Sequence, residues 1–228
     1  MSRSFREAIT QAERSHLQEL LDAAKPEVYR SAIQQLGQDL GRRVADMLPK
    51  RGRCMLVCTV EDADFLARGF ITSVGVERVR LQCFWNERRT LGDFEIAPII
   101  RRYVEPGDDD VSTLVVIKSI ISGACVVRTN LMEVLERARP AQIFIVAPVI
   151  HAEAERKLEQ EFPPDIVQRF TYVWLARDDV REPNGNVRPG IGGSVYELLG
   201  LGGENDKNRY YPRLIHERRA LRMARQQG

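Results

Sequence analysis

Apolar positions in this chain recur first at a helical period and then in short continuous runs, and the switch falls near residue 54. In REAITQAERSHLQELLDAA, Ile9, Leu17, Leu20 and Leu21 stand at helical spacing among charges, which predicts a first helix. Pro26 suits the first turn of a second, EVYRSAIQQLGQDLGRRVADML, whose stripe is Ile33, Leu36, Leu40, Val44 and Leu48 before Pro49 ends it. CMLVCTV then reads as a buried strand, and the next segment regains helical spacing from Phe65 to Val74. VRLQCFW and FEIAPIIRRYVEP predict two more strands, the latter bent at Pro98. PGDDD, at 106–110, reads as a turn whose acids are solvated.

TLVVIK (113–118) predicts a buried strand, and the loop SIISGAC leads into VVRTNLMEVLERA, a helix with Val127, Leu131, Val134 and Leu135 on one side. QIFIVAPVI, the charged helix HAEAERKLEQEF, a stop at 163–164 and the strand FTYVWLA follow. Alternating strands and helices predict an α/β fold: a mostly parallel sheet with right-handed crossovers, flanked by helices on both faces. Ligands in such sheets sit at the carboxyl ends of the strands, which points to the loops starting near Thr59, Lys118, Pro148 and Arg177. The expected organisation is one domain over 1–203, with a helical N-terminal part at 4–48, and a basic C-terminal tail at 204–228 carrying a helix.

Composition narrows the function classes. With 43% hydrophobic residues the chain can bury a core, and a net charge of +2 is too small for a molecule built as a nucleic-acid glove or polybasic membrane binder. No apolar run approaches the roughly 20 residues of a membrane span, and the N-terminus lacks the apolar stretch of a signal peptide, so a cytoplasmic address is expected. Cys54, Cys58, Cys83 and Cys125 lie in apolar segments without paired CxxC spacing and read as plain thiols. His16, His151 and His216 are far apart, and no metal site is expected.

Asp178 to Gly200 reads DDVREPNGNVRPGIGGSVYELLG, placed directly after a strand. This resembles the closing segment of the uracil phosphoribosyltransferase family, in which an acidic pair leads by a fixed interval to a P-G-L-G-D turn and a short terminal helix. Asp178–Asp179, Gly185 and Pro189-Gly190-Ile191-Gly192 fall at that spacing. Upstream, VVIKSIISGACVVRTNLMEVLERARPAQIFIVAPVI resembles the family's strand, phosphoribosyl-pyrophosphate loop, helix and following strand. CTVEDADFLARGF and QCFWNERRTLGDFEIAPIIRRYVEP are similar, more weakly, to its pyrophosphate loop and flexible hairpin. The resemblance spans most of 30–200. It implies a phosphoribosyltransferase-like fold and, for active members, transfer of ribose phosphate to a base, usually with magnesium. It also implies a phosphate loop using backbone N–H groups and small hydroxyls, here Ser119, Ser122 and Gly123, and base recognition by main chain at Pro189, Gly190, Ile191 and Gly192, beside Arg188.

The chain departs from that pattern at three loops. Lys118 stands where the family has the aspartate that accepts hydrogen bonds from ribose hydroxyls. An ammonium only donates, and a unit charge pair about 4 Å apart is worth roughly 4 kcal/mol at an effective dielectric near 20, so the reversed sign matters. Gly123, Ala124 and Cys125 replace a threonine–glycine–glycine run; Thr59, Val60, Glu61 and Asp62 replace an arginine–alanine–glycine turn, and two acids there repel pyrophosphate. Gly193 and Tyr196 replace aspartates of the closing segment.

From Lys207 to Arg225 there are seven Lys/Arg and one acid. Two readings of this tail stand open: a helix docking Leu214, Ile215, Leu221 and Met223 on the domain, or an arm for nucleic acid or an acidic partner. The arm would use Arg209, Tyr210, Tyr211, Arg213, Arg218, Arg219, Arg222 and Arg225. Arg88-Arg89 and Arg101-Arg102 lie in the expected hairpin; Arg88 and Arg89 join Lys118, Ser119, Ser122 and Gly123 as phosphate or ligand candidates, while paired arginines also protect strand edges. His151 starts a helix after a strand.

The leading expectation is a degenerate transferase-like protein acting as a ligand-sensing or protein-interaction subunit. It would be a homodimer with a nucleotide-like small ligand, no cofactor, and magnesium only if the transferase chemistry survives. The alternatives are a divergent phosphoribosyltransferase or nucleotide-processing enzyme using Lys118, Ser122 and His151, and a nucleic-acid-binding subunit working through the tail.

Overall fold

The computed structural model describes residues 3–49, 52–92, 94–107, 111–182 and 185–226. The acidic triplet 108–110 and the side chain of Arg225 fall outside the described residues. The chain opens with a short strand, β1 (Arg3–Phe5), before α1 (Gln11–Asp22) and α2 (Pro26–Ala45). This differs from the wholly helical N-terminus expected from sequence, because β1 lies antiparallel along β10 and is held by an ion pair from Arg3 to Asp178. Thr10 caps α1 in a reciprocal box with Glu13, and Pro26 occupies the first turn of α2.

After β2 (Cys54–Thr59), α3 (Val60–Asp62) runs through a π-helical stretch, Ala63–Ala67, into α4 (Arg68–Val74). Then come β3 (Val79–Asn86), the ribbon β4 (Arg89–Leu91) and β5 (Phe94–Ile96), and β6 (Ile99–Val104). The segment read as one bent strand is thus two: Ala97 and Pro98 break it, and its halves pair with different partners. The chain continues with β7 (Thr113–Ile117), β8 (Ile120–Ile121), α5 (Cys125–Leu135), β9 (Gln142–His151), α6 (Ala154–Glu159), α7 (Pro164–Val167) and β10 (Phe170–Asp178). A ribbon of β11 (Val180–Arg181) and β12 (Val187–Arg188), then α8 (Val195–Leu198), α9 (Glu204–Lys207) and α10 (Arg213–Gln226), complete it.

The main sheet has the order β1-β10-β9-β7-β2-β3-β6. Strands β10, β9, β7, β2 and β3 pair in parallel, and β1 and β6 close the edges antiparallel. This is the mostly parallel, helix-flanked α/β fold that the alternation of elements predicts. Both faces are buried, as the continuous apolar strands require. Cys54, Leu56 and Cys58 face one core with α1, α2, α4 and the C-terminal segment, whereas Met55 and Val57 face the other with α5 and Leu158 of α6. Cys54, Cys58 and Cys83 are buried thiols and Cys125 is half-buried. No described helix is long and apolar enough to cross a membrane.

The C-terminal segment packs on the domain. Asp64, in the π-helical stretch, accepts from the backbone N–H groups of Arg213 and Leu214 at 2.9 and 2.7 Å, and from the Tyr210 hydroxyl, so it caps α10 from outside. Leu214 and Ile215 are buried as the docking reading expects, but Leu221 and Met223 are exposed. The docking stripe continues instead through Arg218, whose guanidinium binds Glu105 at 2.5 and 2.6 Å and the carbonyls of Val76 and Val79.

Candidate functional site

Order along the sheet reverses at β2: the chain leaves β2 for β3 on one side, and β7 lies on the other. The carboxyl ends of β2 and β7 therefore flank a switch-point crevice, the place where open α/β sheets hold ligands. Here that crevice is filled from within. The Lys118 ammonium donates to Glu61 Oε1 at 3.0 Å and to Asp62 Oδ2 at 2.8 Å, while the Ser119 backbone N–H donates to Asp62 Oδ1 at 3.1 Å. Thr59, just before α3, donates its hydroxyl to Asp62 Oδ2 at 2.7 Å. Lys118, Ser119, Glu61 and Asp62 are all buried.

The electrostatics follow from that packing. Burial alone raises the Glu61 pKa, but the ammonium groups of Lys118 and Lys207 outweigh it and hold the carboxyl at about 2. Burial likewise favours neutral Lys118, and Asp62 and Glu61 overcome it, keeping the lysine charged well above its ordinary range. Lys207 of α9 reaches into the same cluster, donating to the Asn86 carbonyl at 2.5 Å and to Asn208 Oδ1 at 3.0 Å; burial pulls its pKa down.

The loop acids are therefore not free to repel an incoming anion, as the sequence alone implied; they are partners of the lysine. The set does not suit magnesium either. The position between the two carboxylates is held by an ammonium, and a hard divalent cation would have to displace it. Among the described residues no group of three or more His, Cys, Asp or Glu is arranged to hold a metal ion.

Beside this plug, an open cavity remains. A space of about 380 Å³ is lined by Arg88, Ser122, Arg188, Pro189, Ile191 and Gly192, with Tyr196 at its wall. An adjoining space of about 250 Å³ shares Arg88 and Ser122 and adds Arg89, Gly123 and Arg181. The fold thus gathers most of the ligand candidates: the hairpin arginines, the small residues of the loop after β7, and the Pro-Gly turn. Lys118 and Ser119 do not join them at the cavity wall.

The turn itself is rigidly made. Gly190 has φ +61°, and a Cβ there would stand 2.1 Å from the Val187 carbonyl oxygen, so only glycine fits. Its N–H donates to Asp178 Oδ2 at 2.8 Å and its carbonyl accepts from Arg3 at 2.6 Å. Arg188 pairs with Glu182, Arg89 with Glu87, and Arg181 with Glu95. Arg88 is exposed, and its side chain has no hydrogen-bond or ion-pair partner among the described residues.

Other candidates lie elsewhere. His151 is buried at the end of β9, and its Nδ1 accepts from the Glu153 N–H at 3.1 Å. Arg101 lies over the Trp85 ring, and Arg102 pairs with Glu133 of α5. Of the tail candidates, Arg218 is consumed by its buried contacts and is corrected from a surface contact to a structural one. Tyr210 and Tyr211 are half-buried; Tyr211 packs its ring on Trp85 and His216, and Trp85 donates its indole N–H to the Tyr210 carbonyl. Arg209, Arg213 and Arg219 are exposed and Arg222 half-buried.

No protein-family model matches this chain, and no curated protein matches it. Among solved structures, the AQ2163 protein from Aquifex aeolicus superposes with a TM-score of 0.69 at 13% identity, covering 85% of this chain and 96% of that one. The two share a fold. A hypoxanthine phosphoribosyltransferase from Staphylococcus aureus matches 65% of this chain and 74% of its own length at 10% identity and a TM-score of 0.46. The hypoxanthine-guanine phosphoribosyltransferase of L. donovani matches 65% and 77% at 11% identity and a TM-score of 0.42. Of these three, the Aquifex protein is the one whose match shows a common fold.

Proposed function

We propose that this chain is a divergent protein of the phosphoribosyltransferase fold in which ribose-phosphate transfer has been lost, and that it works as a ligand-sensing or protein-interaction subunit, as a cytoplasmic homodimer. The observation that carries this reading is Lys118 held between Glu61 and Asp62 at the switch point. By resemblance, a carboxylate at position 118 would accept from ribose hydroxyls. An ammonium cannot accept, and this one spends its donors inside the protein. The open cavity around Arg88, Ser122 and the Pro189–Gly192 turn gives a ligand somewhere to bind without the plugged crevice.

A divergent-enzyme reading needs Lys118, Ser122 and His151 around one reacting group. The buried ammonium and the imidazole engaged with Glu153 weigh against it. A nucleic-acid arm is weakened by Arg218 and Tyr211, both committed to the domain. The direct test is incubation of the full chain with phosphoribosyl pyrophosphate, magnesium and uracil, with chromatography for nucleotide and pyrophosphate. The expected result is no product above the enzyme-free blank; sustained stoichiometric release of both products overturns the reading.

A further inference from the structure

A separate cavity of about 740 Å³ lies between α2, the π-helical stretch and the C-terminal segment, and it shares no lining residue with the space around Arg88. Four guanidinium groups line it, those of Arg30, Arg68, Arg209 and Arg213. Three carboxylates, Asp64, Asp206 and Glu217, also line it, so four cations face three anions and the lining keeps one positive charge in excess. Asp64 caps α10, Glu217 takes both arms of Arg68 at 2.6 and 3.1 Å, and Asp206 accepts from the Gly203 N–H at 3.1 Å.

Arg30, Arg209 and Arg213 make no close ion pair among the described residues. Arg30 is fixed by two hydrogen bonds to the Leu199 carbonyl, at 3.0 and 2.6 Å, which position it without neutralising it. Gly200 makes room for it, because a Cβ there would stand 2.8 Å from the guanidinium. Arg209 has only a loose 3.8 Å contact with Asp206 and a side chain 87% exposed. The Arg213 side chain has no hydrogen-bond or ion-pair partner among the described residues.

We infer that this cavity binds an oligophosphate group, either free or as the phosphate tail of a nucleotide. Several arginines lining one concave space suit the several closely spaced anionic oxygens of such a group better than a lone carboxylate, which would engage only one of them. The volume lies within the range of small-molecule sites. This inference stands apart from the ligand-sensing reading, which concerns the cavity around Arg88.

The test is isothermal titration of the full-length chain with tripolyphosphate, ATP, UTP and adenosine. It is repeated on Arg209→Ala/Arg213→Ala and on Arg88→Ala. Both removed side chains of the double variant are exposed, so its Tm should match wild type. The expected result is a Kd for tripolyphosphate or a nucleoside triphosphate below about 1 mM, weakened at least about tenfold in the double variant and unchanged by Arg88→Ala. Tighter binding of ATP or UTP than of tripolyphosphate identifies a nucleotide, and equal binding identifies free oligophosphate. No binding of any phosphate probe, or equal binding by the double variant, overturns the inference. So does single-stranded RNA binding more tightly than tripolyphosphate through the same two arginines, which would make this a nucleic-acid surface. Loss confined to Arg88→Ala would assign the ligand to the other cavity and overturn it as well.

Discussion

Asp62 joins Lys118 to the start of the loop after β7: one carboxylate oxygen takes the ammonium at 2.8 Å, and the other takes the Ser119 N–H at 3.1 Å. A ligand bound in the switch-point crevice would have to break a buried ion pair and reopen a loop. Removing one partner of such a pair leaves uncompensated charge in the interior. Lys118→Met should therefore lower stability by about 3–5 kcal/mol in denaturant unfolding. Neutralising the acids as well, in Lys118→Met/Glu61→Gln/Asp62→Asn, should recover most of that loss. A single variant within about 0.5 kcal/mol of wild type would mean that the cluster is not buried in solution.

The same cluster sets an acid dependence. Burial works to raise the Glu61 pKa, but Lys118 and Lys207 hold it at about 2, below its ordinary 4.5. A carboxyl lowered on folding adds stability that is complete above its unfolded pKa and disappears as pH falls through 4.5 towards 2. Between pH 5 and 2, wild type should lose roughly 1–3 kcal/mol more than Glu61→Gln does. Parallel stability curves for the two proteins would remove Glu61 from the network. Lys118, raised on folding, contributes below its ordinary 10.5 and loses that contribution only in strong alkali.

The C-terminal helix should behave as part of the domain. Asp64 supplies its cap and Glu105 receives Arg218, so Asp64→Ala should destabilise by about 2–3 kcal/mol and expose amides 210–226 to hydrogen exchange. Trp85 reports the event directly, since it donates to the Tyr210 carbonyl and packs on Tyr211. Its emission should shift to the red in the variant. An unshifted emission together with unchanged exchange would show that the cap does not hold the helix.

The Pro-Gly turn carries its own prediction. Gly190→Ala places a Cβ against the Val187 carbonyl at positive φ, so it should cost more than about 1 kcal/mol and reshape the wall of the cavity. Arg3→Ala removes the partner of Asp178 and the donor to the Gly190 carbonyl, and should loosen the same turn, seen as faster exchange of the Gly190 amide. Unchanged exchange in Arg3→Ala would detach β1 from the turn.

Much of the architecture was legible in the sequence because continuous apolar strands, such as CMLVCT and TLVVI, leave little freedom in a sheet covered on both faces. β1 was not legible: three residues, Arg3 to Phe5, carry no period, and the strand exists through a tertiary ion pair. The Pro189–Gly192 turn was readable because local backbone geometry demands glycine at 190. The partnership of Lys118 with Glu61 and Asp62 was not, since it depends on β2 and β7 lying side by side although 53 residues lie between Thr59 and Thr113. Its one available signal was opposite charge at the ends of two apolar strands. The tail stays open between two readings in the sequence for a related reason: a basic, aromatic run looks alike whether it faces solvent or docks, and Glu105 and Trp85, which receive Arg218 and Tyr211, lie far along the chain.

The most direct measurement is isothermal titration of the full-length chain with phosphoribosyl pyrophosphate, with and without magnesium, alongside Arg88→Ala and Arg209→Ala/Arg213→Ala. With the crevice between β2 and β7 sealed by Lys118, no magnesium-dependent binding is expected, and any residual affinity should weaken in Arg88→Ala or in Arg209→Ala/Arg213→Ala, according to which cavity holds the phosphates. Micromolar binding that requires magnesium, with the pentose seated beside Lys118 in a crystal of the complex, would contradict it.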